Sequence, residues 1–222
     1  MADKRILIGT PHGRDFTPEY VICLAALLKR PVEGCKFDFY PVEGLYIHHN
    51  RNQIAKLAVE RDYDYLLFID SDMFFLADDI IKLLEIDAPV VGGVYPRRGY
   101  PYHPTAWNFS EASGLGHFDC EIPRDKPFEC DGVPTGFLLL RNDVLKEVYL
   151  HYVNPFAFGR EAEGEDIEFG EDVWFMKRLN TLGYRAIARA DLTIQHLCHE
   201  MVGMNKVWEL VEKDAHDKQS AA

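Results

Sequence analysis

The sequence has no apolar run approaching the roughly eighteen residues that would span a bilayer. Its opening, Met1-Ala2-Asp3-Lys4-Arg5, leads into Ile6-Leu7-Ile8 without the apolar core of a signal peptide, so a cytoplasmic location is the expectation. Cysteine is sparse. The five, at positions 23, 35, 120, 130 and 198, form no CxxC pair and leave one over from any pairing, which counts against a disulfide scaffold or a structural zinc site and makes reduced, mostly buried thiols the expectation. Positive charge is in short supply too: 24 Lys and Arg against 36 Asp and Glu give a net charge of -12, which weighs against a large basic nucleic-acid footprint. Neither GxGxxG nor GxxxxGK[ST] occurs, which counts against dinucleotide and P-loop chemistry. Internal repeats, low-complexity tracts and Pro/Gly/Ser linkers are also missing.

What is present suits one folded α/β domain. At 222 residues, 47% hydrophobic and 27% charged, the chain is long enough for a buried core and short for two catalytic domains. One domain over 1–212 with a flexible tail over 213–222 is expected. Short apolar runs at Arg5 to Gly9, Lys36 to Tyr40, Tyr65 to Ile69, Val90 to Val94, Gly136 to Leu140 and Tyr184 to Ala188 read as strands. Helical spacing falls at Tyr20 to Lys29, Asn50 to Arg61, from Asp78, at Asp143 to Tyr149 and at Glu171 to Leu182. Thr10-Pro11-His12-Gly13 reads as a turn-rich loop, and the proline- and aromatic-rich Tyr95 to Asp131 as an irregular excursion over one sheet edge. This order is that of a mostly parallel sheet flanked by helices.

Ligands collect at the carboxyl ends of strands in such sheets, and Asp70-Ser71-Asp72 lies there, after the uninterrupted apolar Tyr65 to Ile69. Two carboxylates one residue apart can face one divalent cation and leave positions for phosphate oxygens. Thr10, His12 and Arg14 follow the first strand, and Arg51 and Asn52 lie on the next helix, where they can meet a base, ribose or phosphate. Arg97 and Arg98 are suited to a diphosphate or an anionic acceptor. Glu171 and Asp172 stand in the first turn of a helix, whose dipole favours their ionised forms. The acidic residues before them, Glu161, Glu163, Glu165, Asp166 and Glu168, read as a solvated loop. Phe74, Phe75, Trp174, Phe175 and Trp208 read as core, and one or two of Tyr95, Tyr100, Tyr102 and Trp107 as lining for an acceptor.

The segment Tyr65-Leu-Leu-Phe-Ile-Asp-Ser-Asp-Met73 resembles the DxD segment of GT-A fold nucleotide-sugar glycosyltransferases, in the compact form met in bacteria and their viruses. Asn50 to Ala55, Val91 to Arg98, Pro134 to Leu140, and Gly170-Glu171-Asp172-Val173 followed by Gly183-Tyr184-Arg185 and His196 resemble further segments of that family, in the family's order, over roughly Lys4 to Cys198. The resemblance implies a Rossmann-like GT-A sheet and transfer of a sugar from a nucleoside diphosphate, UDP or GDP, to an acceptor hydroxyl. It implies Mn²⁺ or Mg²⁺ held by Asp72 and His196, with Asp70 on metal-bound water or the ribose, and His199 close enough to compete for the histidine role. It places Thr135 and Gly136 in the sugar pocket and gives Asp172 the base role of inverting members, with Glu171 as the neighbouring carboxylate. The acceptor stays open: a saccharide or protein is favoured and a modified DNA base is possible. A nucleotidyltransferase and a non-catalytic sugar-nucleotide or glycan-binding protein are the competing readings. The first would normally want a glycine-rich basic loop after strand one, of which Gly9 to Arg14 is a thin version, and the presence of Asp172 argues against the second.

Overall fold

The computed structural model describes residues 3–109, 116–117 (backbone), 122–160, 169–197, 201–209 and 212–213. Cys120, Cys198, His199, the acidic residues from Glu161 to Glu168 and the tail beyond Lys213 lie outside them. In chain order the elements are β1 (Lys4–His12), α1 (Pro18–Lys29), β2 (Cys35–Glu43), α2 (Ile47–Glu60), β3 (Tyr65–Ile69), β4 (Met73–Phe74), α3 (Ala77–Leu84), β5 (Val90–Gly93), β6 (Asn108–Phe109), β7 (Gly116–His117), β8 (Phe128–Cys130), β9 (Phe137–Arg141), α4 (Asn142–His151), α5 (Glu171–Thr181), β10 (Ala186–Arg189), β11 (Gln195–Leu197) and β12 (Met201–Gly203).

Seven strands form one sheet in the order β2-β1-β3-β9-β5-β10-β8. Strands β1, β2, β3, β5 and β10 run the same way, whereas β9 is antiparallel to both its neighbours and β8 is antiparallel to β10. The expected mostly parallel sheet is therefore what forms, with Gly136 to Leu140 entering it in reverse. Every residue of β3 is buried, as an apolar run covered on both faces requires. Its side chains alternate between two apolar clusters. Leu66 and Phe68 join Ile54 and Ala58 of α2, Val144 of α4 and Phe175 of α5, while Leu67 and Ile69 join Tyr20 and Leu27 of α1 and Ile80 and Leu83 of α3. The result is a sheet between two helical layers.

Several boundaries moved for identifiable reasons. Thr10, Pro11 and His12, read as loop, extend β1 because each pairs with β2, at Pro41, Val42 and Glu43; ladder pairing overrides the local turn signal. Part of the excursion after Tyr95 returns to the sheet as β8, which closes its edge. A separate three-stranded sheet, β12-β11-β4, sits beside the large one and was not foreseen from strands two or three residues long.

Close approach of α2 to β1 depends on Gly9. A Cβ there would stand 2.2 Å from Ile54 Cγ2 and 3.2 Å from Leu66 Cδ1, and Ile54 is fully buried. Gly9→Ala is expected to destabilise the fold by about 1–3 kcal/mol through overpacking. Urea denaturation would show this as a lower midpoint at unchanged slope; a midpoint equal to the wild type would mean that α2 does not press on β1 at this position.

Candidate active site

In the strand order β1 has its chain successor β2 on one side and β3 has β9 and β5 on the other, so a crevice opens between the segments that follow them, the place where ligands bind in open α/β sheets. A cleft of about 230 Å³ lies there, lined by Pro11, His12, Gly13, Gly44, Leu45, Ile47, Asn50, Asp70, Ser71, Asp72 and Arg98. A larger cavity of about 680 Å³ runs along α5 between Phe109, Tyr152 and Trp174. Its Arg178 and Asn180 already donate to backbone carbonyls of Asn154, Pro155, Asp131, Met176 and Tyr184, so the smaller cleft, where Asp70 and Asp72 meet at the strand ends, is the candidate site.

Each residue of the Asp70-Ser71-Asp72 turn is tied to a different element. The Asp70 amide donates to Gly136 O at 3.0 Å, Ser71 O accepts the Thr17 amide at 3.1 Å, and Asp72 O accepts the Leu197 amide at 3.0 Å. The last bond belongs to the register in which β11 lies against β4 with His196 opposite Met73, which brings His196 next to Asp72. Asp79 supports that approach: buried at the start of α3, it accepts the Leu76 amide at 2.9 Å and the Thr193 amide at 2.8 Å, pinning the chain that leads into β11.

The two aspartates face different partners. Asp70 receives Arg51 Nη2 at 2.9 and 3.1 Å, and Arg51 Nη1 donates to Glu171 Oε1 at 3.2 Å. Arg51 is 2% exposed, and its proximity to Asp70, Glu171 and Asp172 outweighs the burial that would otherwise favour losing its proton. Burial lifts Glu171 above the ordinary carboxylate value, Arg51 opposes that shift, and Asp172 adds to it. Asp72 instead faces His196, with Oδ2 3.6 Å from Nε2. The guanidinium of Arg98 stands between them, paired with Asp72 Oδ2 and donating from Nε to His196 Nε2 at 3.1 Å.

His196 presents a neutral ring nitrogen toward Asp72. Its Nδ1 lies 3.2 Å from Pro96 O, an acceptor, so the proton sits on Nδ1 and the Nε2 lone pair faces Asp72. Burial first, then Arg98, hold its pKa below the usual histidine value, while the Pro96 carbonyl and Asp70 oppose them. A carboxylate oxygen and an imidazole nitrogen with its tautomer fixed by a second hydrogen bond suit a borderline cation such as Mn²⁺. Asp70 does not complete a trio with them. Among the described residues no group of three or more His, Cys, Asp or Glu is arranged around one point, because Arg51 draws the Asp70 carboxylate the other way.

Several residues read as ligand contacts serve the fold. Arg51 is sealed under the site as a counter-ion instead of reaching out to a ribose or phosphate. Asn52 spends its amide on His48 O at 2.8 Å and Phe156 O at 2.6 Å and accepts the Phe156 amide at 3.0 Å, which staples α2 to the 155–156 segment. Thr10 is fully buried and shares a hydrogen bond with the Tyr20 hydroxyl. Arg14 and Arg97 are exposed and do not line the cleft. His12 does line it, and its buried Nδ1 has no partner among the described residues. Thr135 is buried with its hydroxyl likewise unpartnered. Gly136 is a point of close approach: a Cβ would meet Tyr95 Oη at 2.2 Å and Asp70 Oδ2 at 2.8 Å. Asp172, half-buried in the first turn of α5, accepts the Val173 amide at 2.8 Å, and its charge reaches Arg51 and Tyr95. Of the four aromatics, Tyr95 and Trp107 are core residues, Tyr102 packs half-buried against the core, and Tyr100 is 77% exposed.

No family model matches this sequence, and no curated protein matches it. The likeness to known proteins is one of fold. A197 from STIV superposes with a TM-score of 0.54 at 17% identity, covering 87% of this chain and 85% of that chain. GalNAc-T7, solved with UDP, GalNAc and Mn²⁺, superposes with a TM-score of 0.55 at 9% identity, covering 88% of this chain and 44% of that chain, so the present chain spans less than half of its length. The architecture is GT-A-like: a mixed, mostly parallel seven-stranded sheet flanked by helices in a single domain. No helix among the described residues is long and apolar enough to cross a membrane.

Removing the shared cation should expose how much the site depends on it. Arg51→Met leaves Asp70 and Glu171 facing each other in a half-buried setting, and a loss of about 3–5 kcal/mol is expected from breaking a buried pair on one side. Because the folded-state pKa of Glu171 is raised, its contribution is greatest below its unfolded value and declines as pH rises through the folded one. The variant's deficit should accordingly shrink as pH falls below about 5, where carboxylates begin to protonate. Denaturation of both proteins at several pH values checks this; a deficit constant across that range would show that Arg51 acts through packing alone.

Proposed function

We propose that this chain is a metal-dependent glycosyltransferase that moves a sugar from a nucleoside diphosphate sugar, UDP- or GDP-linked, to an acceptor hydroxyl, with inversion and with Asp172 as general base. The observation that carries the reading is the facing pair of Asp72 and neutral His196 at the carboxyl end of β3, bridged by a cation from the chain itself and opening into the cleft between the ends of β1 and β3. GalNAc-T7, which shares the fold, was solved with UDP and Mn²⁺, which supports those two as first probes.

Asp72 and His196 would hold Mn²⁺ or Mg²⁺, with Asp70 toward metal-bound water or the ribose. When bound, the cation supplies positive charge against the diphosphate leaving group. The rest falls to the chain. His12, Gly13 and Ser71 line the space for the nucleotide. Thr135 and Gly136 are assigned to the sugar side, Gly136 allowing Tyr95 Oη and the Asp70 carboxylate to approach the backbone closely. The acceptor oxygen attacks the anomeric carbon as its proton passes to the Asp172 carboxylate, and the bond from that carbon to the phosphate oxygen breaks with its electron pair leaving on the diphosphate. Asp172 stands for this role in the first turn of α5, on the positive end of the helix. Glu171, held by Arg51, is occupied as an ion-pair partner, which leaves Asp172 as the base.

Asp72→Ala should abolish the Mn²⁺-dependent part of UDP binding while leaving the fold intact. Calorimetry with and without Mn²⁺ tests this, and a UDP affinity indifferent to Mn²⁺ in both proteins would remove the metal from the reading. Asp172→Asn preserves size and most hydrogen bonding, so donor affinity should stay near wild type while transfer, or UDP release by hydrolysis, falls about 10²- to 10⁴-fold. Turnover at the wild-type rate in that variant would transfer the base role elsewhere; loss of donor binding would put Asp172 in the nucleotide site.

A further inference from the structure

Arg98 occupies the space that a cation bound by Asp72 and His196 would need. Its Nη2 pairs with Asp72 Oδ2 and its Nε donates to His196 Nε2 at 3.1 Å, so one guanidinium satisfies both groups at once. The loop that carries it is built in two parts. Its base, where Tyr95, Pro96 and Thr105 are buried, is tied to itself: Thr105 N donates to Tyr95 O at 3.0 Å, Pro96 and Pro104 form a bridge, and Arg97 N donates to His103 O at 2.9 Å. Its tip is exposed from Arg97 to Pro101, turns through Gly99 at φ +87, and has open space around that glycine. The Arg98 side chain is 62% exposed and rests on the site from outside.

We propose that Arg98 is a built-in latch: its guanidinium stands in for the divalent cation across Asp72 and His196, and the cation binds by displacing it and releasing the tip of the 97–103 loop at the mouth of the cleft. The inference rests on the assignment of Asp72 and His196 as cation ligands. The charges favour such an exchange. A single positive charge neutralises Asp72, so the pair is satisfied without metal, but an ion pair this exposed is weak and yields readily to a divalent ion that takes the same two donors. Because the cation must compete with Arg98, its apparent affinity is reduced by the fraction of molecules in which the latch is closed. Arg97, next in sequence and of the same charge, makes neither contact and serves as the control.

In calorimetric titrations with Mn²⁺ alone, Arg98→Ala should bind about 3- to 10-fold more tightly than the wild type, and Arg97→Ala should match the wild type. Limited trypsin digestion gives an independent reading. Mn²⁺ should speed cleavage at Arg97-Arg98-Gly99 in the wild type, whereas in Asp72→Asn cleavage should be fast and indifferent to Mn²⁺. Equal Mn²⁺ affinity in the wild type and Arg98→Ala, an equal gain in Arg97→Ala, or wild-type cleavage unaffected by Mn²⁺ would each overturn the latch. If Mn²⁺ still binds with UDP present but no more tightly in Arg98→Ala, the latch alone falls. If no protein binds Mn²⁺ with or without UDP, the cation assignment falls with it.

Discussion

One guanidinium, that of Arg51, holds the candidate site together. Buried beneath the cleft, it binds the carboxylate at the end of β3 and the carboxylate at the start of α5, residues 120 positions apart in the case of Glu171. Asp70, Glu171 and Asp172 converge in a region shielded from water, where three negative charges without compensation would repel and resist burial. Arg51 supplies that compensation from below, so the upper surface of the site stays free for chemistry. The same arrangement explains why Asp70 and Asp72 part company despite being neighbours: one is paired with the buried Arg51 and the other with the exposed Arg98.

The second constraint is mechanical. The Asp70-Ser71-Asp72 turn is a short span between β3 and β4, yet its three residues bond respectively to the entrance of β9, the N-cap of α1 and the end of β11. A segment held by three elements has little freedom to rearrange, which is what a site for a charged leaving group requires, since donors and charges already in place need no reorganisation during reaction. The tip that carries Arg98 is instead exposed and lies outside that three-way hold.

The fold-level comparisons speak of architecture alone. Superpositions at 17% and 9% identity establish the chain's architecture and leave its chemistry to the residues themselves. Those residues divide the expected nucleotide contacts into two sets. His12, Ser71, Asp72 and Arg98 face the cleft. Thr10, Arg51 and Asn52 face inward, and each has taken up a hydrogen bond or ion pair that stabilises the elements around the cleft. Polar residues near a sheet's carboxyl end thus served two ends, and residue type alone did not say which.

Local pattern was enough to reveal the longer strands of the main sheet and the helices. The unbroken apolar run of Tyr65 to Ile69 could only be a strand covered on both faces, the helical spacing of α5 and the position of Gly183 set that helix, and the carboxylates at the end of β3 followed from where the run stopped. Direction and pairing were not legible, because a period of two reads the same forwards and backwards; β9 therefore looked like any other strand until its antiparallel ladder with β3 and β5 was seen. Strands as short as β4 and β11 carry no periodic signal, yet their pairing is what places His196 beside Asp72. The fate of each arginine was likewise a tertiary matter. Arg51, Arg97 and Arg98 are chemically identical in sequence, and only the packing of α2 under the sheet, with the turn of the 97–103 loop over it, made one a buried counter-ion, one a surface charge and one the cation across Asp72 and His196. Hydrophobic periodicity records which face of an element is covered; it holds no record of which distant charge will be covered with it.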